Sequence, residues 1–351
     1  MQIVSDEIYR IVEREVSNYV AVAPPQIEKE YVYGPSDLVL QFHTWQGNPQ
    51  VRISERDNLV LAKETLQKPI VNVRLQMLAK AWHIACKKYN ISHIDIHMPV
   101  CFSDSSDMPL QKYPCLVFSK AAYSSNILMP SLNNFVHCGE IDQLGVCDTP
   151  IETKTNKMCF AGSFTGNTTF DLKNNPRLRL AAFAAENTDI TECWIGRPPG
   201  EAPEVFEKKL KEANDLYFTG NIIQNTNQGK SIQEQIQHKY QLVADGHTCA
   251  WARLPWQMYS NCVPIKVRNH KRKNIEWFYH LLDFSKHCIE VGVEELKEVY
   301  EELEKRPKLQ KDIAEAGKDF VKKYWNQDLA IDVFAQTMIL LNQKQLPIDR
   351  I

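Results

Sequence analysis

The chain has 351 residues, 44% of them hydrophobic and 24% charged, with a formal net charge of −2. A charge so near zero removes the global electrostatic case for nucleic acid, and this length predicts two domains of roughly 150 residues each. No run reaches the roughly 20 apolar residues of a membrane-spanning helix.

The N-terminal "MQIVSDEIYRIVEREV" lacks a signal peptide's basic start and apolar stretch, so a cytoplasmic protein without a membrane span is expected. Ten cysteines with no CxxC pair read as reduced, mostly buried thiols. "LVLQFHTW" and "QVRISER", on either side of the turn signal "QGNP", predict a β-hairpin. In "KPIVNVRLQMLAKAWHIACKKYN" the apolar residues Val71, Leu75, Leu78, Ala81, Trp82 and Cys86 recur at helical spacing. "SHIDIHMPVCF" and "CLVFSK" read as strands. The turn-rich stretch 139–155 marks a boundary, giving an N-terminal domain 1–153, joined by a C-terminal helix at about 326–351, and a C-terminal domain 154–325. In that second domain "KMCFAG", "ECWIG", "QLVAD", "VPIKV" and "CIEV" read as strands. "NPRLRLAAFAAEN", "PEVFEKKLKEAN", "SIQEQIQHKY" and "LPWQMYSN" read as helices. Such alternation predicts βαβ units, a parallel sheet and an α/β fold class.

A parallel sheet binds ligands beyond the carboxyl ends of its strands. The loop "AGSFTGNTT" stands at such a place, with Gly162, Ser163, Thr165 and Gly166. Its N–H and hydroxyl groups, helped by the dipole of the next helix, can hold an anion. It is neither the dinucleotide fingerprint nor the P-loop, and a plain tight turn is the competing reading. A second segment, "KYQLVADGHTCAWARLPWQMYSNCVPIKV", ends a strand at Asp245 and Gly246 and sets Arg253 at a helix start. Alone, Arg253 reads as a surface or salt-bridge arginine, yet its planar fork suits phosphate oxygens. Two anion-friendly turns in one α/β domain point to a diphosphate. His93, Asp95 and His97 share one strand face and could hold a metal, but ordinary hydrogen-bonded residues are the expected reading. The basic run "VRNHKRKN" reads as a solvated loop.

Five segments in order carry a resemblance: "YPCLVFSKAAYSSNILMPSL", "FAGSFTGNTT…NPRLRLA", the Asp245–Arg253 segment above, "IEWFYHLL" and "IAEAGKDFVKKYW". Over roughly Ile94 to Phe334 the chain resembles glycosyltransferase family 90, the protein O-glucosyltransferases and capsule-associated β-xylosyltransferases. The resemblance implies a GT-B architecture, with two Rossmann-like domains facing a cleft. It also implies inverting transfer from a UDP-sugar without a metal or other cofactor. By position, Gly162, Ser163 and Thr165 match the diphosphate-side loop, and Asp245 and Gly246 the motif's turn. Arg253 matches the arginine assigned to the UDP phosphates, and Glu276 to Tyr279 the segment near the nucleotide. Two departures stand out. Phe164 occupies a place where many relatives carry arginine, so Arg177 or Arg179 is a candidate substitute. Ala252 adds one residue and shifts the register near Arg253.

Single-displacement transfer needs a carboxylate to take the acceptor hydroxyl's proton. "HMPVCFSDSSDMPLQKYP" offers Asp107, which the resemblance favours because the family often carries its base as Asp-x-Pro, and Asp104, nearer the strand end; two solvated aspartates are the alternative. UDP-xylose and UDP-glucose differ by one hydroxymethyl group, a contact that discriminates only about 10–200-fold. The missing leader and retention signal favour xylose and a glycan acceptor. The alternatives are a protein O-glucosyltransferase or xylosyltransferase and a non-catalytic sugar-nucleotide or glycan-binding protein.

Overall fold

The computed structural model describes residues 1–17, 19, 37–45, 48–53, 65–102, 114–131, 141, 149–166, 175–198, 200–217, 230–269 and 273–344. The chain divides into two units. Unit 1 comprises residues 1–137, 275–280 and 326–351, and unit 2 comprises residues 138–274 and 281–325. Both are α/β.

In unit 1 the expected hairpin forms. Strand β1 (Asp37–Trp45) runs antiparallel to β2 (Asn48–Ile53), with Phe42 opposite Val51. On its other edge β1 is antiparallel to β3 (Asp95–Cys101). Three short strands follow, β4 (Leu116–Val117), β5 (Lys120–Ala121) and β6 (Ile127–Leu128). The sheet order is β2-β1-β3-β4-β6, mixed in direction, because β3, β4 and β6 run parallel. Helix Pro69–Tyr89 opens on proline and stops at Asn90, whose φ of 50° suits an asparagine cap. Its buried stripe includes Val71, Leu78, Ala81, Trp82 and Cys86, five of the six expected apolar positions. Trp82, Phe42 and Phe334 of the last helix, Gln327–Lys344, meet edge to face at 5.7–6.3 Å between centroids. The buried carboxylate of Glu15 ties helix Asp6–Ser17 to this unit. It accepts from Lys120 Nζ at 2.6 Å and Leu128 N at 3.2 Å, and lies 3.2 Å from His280 Nε2. Burial pushes that carboxyl up, but the His280 bond and the Lys120 charge win and hold it below its ordinary value.

Unit 2 is built on β7 (Thr155–Ser163), β8 (Thr191–Gly196), β9 (His238–Val243), β10 (Val263–Val267) and β12 (Ile289–Val291). Strand β11 (Asn274–Ile275) stands where the chain passes from unit 2 to unit 1. The order is β12-β10-β9-β7-β8, and every neighbouring pair is parallel. Central parallel strands are covered on both faces, and β9 and β10 are buried along their whole length. Met158, Phe160, Tyr240, Leu242 and Ile265 form the core with Leu178 of helix Pro176–Glu186.

One element differs from expectation. The pattern of "SIQEQIQHKY" predicts helix throughout, but only Ile232–Gln235 is helical, behind a Ser231–Glu234 capping box. From His238 the chain is strand, because pairing with β7 and β10 on either side outweighs the local helical pattern. The eight described cysteines are all free, seven of them buried. Burial pushes the Cys86 thiol up to about 12, which disfavours its thiolate. No helix of the described residues is long and apolar enough to cross a membrane.

Candidate functional site

Parallel neighbours place their following loops side by side. Strand β7 ends at Ser163 and its neighbour β9 at Val243, so residues 164–166 and 244–246 emerge together. Asn175 caps helix Pro176–Glu186 and fixes the first of these loops. Its Oδ1 accepts from Arg177 N at 2.9 Å and Leu178 N at 3.3 Å, while its Nδ2 donates to Thr165 O at 3.2 Å. Those two helix N–H groups are therefore already occupied. Gly166 has φ of 113°, and a Cβ there would stand 3.0 Å from Asn175 Nδ2, so glycine is required.

Arg177 joins the two loops. Its Nη1 donates to Ser163 O and Thr165 Oγ1, each at 2.6 Å. Its Nε donates to Asp245 O at 3.2 Å and its Nη2 to Ala244 O at 3.3 Å. A Cβ on Gly246 would fall 2.9 Å from both Arg177 Nη2 and Thr165 Oγ1, and one on Gly162 2.8 Å from Phe160 Cζ. Both glycines thus permit close approach.

Arg253 begins helix Arg253–Tyr259. Its Nη1 donates to Gln235 Oε1 at 3.1 Å, and among the described residues no carboxylate pairs with it. Its Cζ lies 5.6 Å from the Phe160 ring centroid, and that of Arg177 lies 5.8 Å from the same ring. Burial drives the Arg253 guanidinium down to about 10. It drives Arg177 down to about 9, where repulsion from Arg253 adds to the effect and Asp245 opposes it. Asp245 is itself committed, accepting from Lys266 Nζ at 2.9 Å and Asn274 Nδ2 at 3.2 Å. The two guanidiniums thus lie against one ring, Arg177 buried and Arg253 half-buried, and their like charges oppose each other.

The structure therefore brings Gly162, Ser163, Thr165, Asp245 and Gly246 together around Arg177, and Arg253 joins them through Phe160. Asp245 acts there as an internal partner of Lys266. Glu276 is buried and belongs to unit 1. Asp104 and Asp107 lie outside the described residues. Phe164 turns into the core against Phe206, 6.2 Å between centroids. Arg179 pairs with Glu294 at 2.7 Å, and Arg177 is spent on the loops, so neither stands as a free replacement for the relatives' arginine. Asp95 accepts from Gln41 Nε2 at 2.8 Å and lies 3.6 Å from His43 and 3.8 Å from His97, while His93 is exposed. Among the described residues no group of three such side chains is placed to hold a metal ion.

Sequence reasoning missed the bracing by Arg177 and the pairing of Lys266. A signal existed for the second: a lysine inside the apolar strand "VPIKV" implies a buried partner.

No family model matches the chain, and no curated protein matches it. Several solved structures are similar at low identity. A sucrose-phosphate synthase from Thermosynechococcus elongatus is 8% identical, over 56% of this chain and 51% of that one, with a TM-score of 0.36. A glycosyltransferase from Rickettsia africae is 12% identical, over 59% and 52%, with a TM-score of 0.38. Anabaena HepE in complex with UDP-glucose is 11% identical, over 61% and 57%, with a TM-score of 0.38. The match spans little more than half the length of those proteins.

Proposed function

We propose that the protein is a UDP-sugar-dependent glycosyltransferase of the GT-B type, and that Arg253 and the loop 162–166 receive the UDP diphosphate. The observation that carries the reading is the pair of guanidiniums on Phe160, Arg177 buried and Arg253 half-buried, of which Arg253 has an amide oxygen and, among the described residues, no carboxylate for partner. The family-90 resemblance supplies the reaction class. In the proposed step the acceptor oxygen attacks the anomeric carbon while the bond from that carbon to the UDP oxygen breaks, inverting the centre. Asp107, or failing it Asp104, takes the acceptor's proton. The charge that grows on departing UDP meets Arg253. The donor sugar is xylose or glucose and the acceptor a hydroxyl of a glycan.

Release of UDP from UDP-xylose, UDP-glucose and other donors, with and without glycan acceptors, tests this reading. Turnover with one of the two named donors, unaffected by EDTA, is expected. Of Asp107→Asn and Asp104→Asn, the variant that stops turnover while still binding UDP marks the base. UDP binding without turnover on any donor would instead favour a non-catalytic sugar-nucleotide-binding protein.

A further inference from the structure

A guanidinium has five N–H donors and no acceptor. Arg177 spends four of them: on Ser163 at the end of β7 and Thr165 beyond it, and on Ala244 and Asp245 after β9. Three of the four partners are backbone carbonyls, which only hold the loops. The fourth, Thr165 Oγ1, is a hydroxyl with one proton and two lone pairs. Because Arg177 Nη1 donates into one lone pair at 2.6 Å, the hydroxyl proton has to point elsewhere. Thr165 is half-buried, and a Cβ at position 246 would stand 2.9 Å from Oγ1, so glycine there leaves that side of the hydroxyl uncrowded by a side chain. A hydroxyl that accepts from a cation is also a stronger donor, because its O–H is further polarised.

We propose that Arg177 is a positioning residue that sets the Thr165 hydroxyl as a hydrogen-bond donor to the bound diphosphate. The proposal rests on the anion-site reading above. Arg177 acts on the ligand through Thr165, whereas Arg253 meets it directly. Lysine cannot replace Arg177, because a single ammonium lacks the planar fork that reaches both strand ends.

Calorimetric titration with UDP of the wild type, Thr165→Val, Arg177→Lys and the double variant tests the coupling, with thermal unfolding followed alongside. Each single substitution is expected to weaken binding about tenfold, and the double variant about as much as the weaker single one. Losses that multiply to about a hundredfold would overturn the relay. Thr165→Ser, which keeps the hydroxyl, should recover most of the affinity that Thr165→Val loses. Serine as weak as valine overturns the proposal, and that comparison holds even if Arg177→Lys does not fold. A wild type that takes up neither UDP nor pyrophosphate overturns the anion site and the relay together. One that binds UDP, but with independent losses, overturns the relay alone.

Discussion

Asp245→Ala is expected to lower the unfolding free energy by about 3–5 kcal/mol, because it takes the hydrogen-bonded carboxylate away from a buried ammonium. Lys266 and Asp245 are 3% and 1% exposed. Their 2.9 Å bond, with Asn274 on the other carboxylate oxygen, is what makes the burial of either charge tolerable. Burial alone would push the Lys266 amine down, but the Asp245 charge outweighs it and holds the amine above its ordinary 10.5. A folded value raised above the unfolded one gives stability that is complete below pH 10.5 and is lost as pH rises through the folded value. In the variant the largest charge opposing burial is gone, leaving the weaker pull of Cys249 and Glu290, so its deficit against the wild type is largest near neutrality and narrows towards pH 10.5. Urea unfolding at neutral and alkaline pH measures both features. A loss below about 1 kcal/mol at neutral pH would show that the pair does not hold the β9 turn in place.

Arg253→Ala has the opposite signature. Truncating one partner of a buried charge contact typically costs 2–5 kcal/mol of binding. UDP affinity should therefore fall by about 2–4 kcal/mol, or roughly 30- to 1000-fold. Stability should change by no more than about 1 kcal/mol. The variant loses one bond to Gln235 and the stacking on Phe160 and Trp256, but it also removes a charge that burial disfavours. Residues kept for a ligand commonly cost the empty protein stability, whereas residues kept for the fold do not. Titration with UDP and urea unfolding on the same preparation separate the two. Unchanged affinity, or a stability loss as large as that of Asp245→Ala, would remove Arg253 from the binding role.

What was legible in the sequence followed from periodicity. The pairing of β1 with β2 and the helix Pro69–Tyr89 come from local patterns that the packing leaves intact. The strands of unit 2 were visible as short apolar runs between helices, and the parallel sheet follows from that alternation. His238 and Lys239 misled, because strand pairing decided their state and pairing is not a local property. At the site, Gly162, Thr165 and Arg253 read as residue types suited to an anion and Gly246 as part of a turn, and the structure places all four near Phe160 and Arg177. Asp245 was legible as part of a turn, but its service to Lys266 depends on two strands 21 residues apart in sequence meeting in space. The same holds for Arg177, whose four bonds cross from one strand end to the next. No spacing rule announces that.

A crystal structure of the protein with UDP measures the central claim most directly. Diphosphate oxygens at about 2.7–2.9 Å from the Arg253 guanidinium, with one within hydrogen-bond reach of Thr165 Oγ1, are the expected result. UDP bound away from both residues, or a saturating concentration that leaves Arg253 on Gln235 alone, would contradict it.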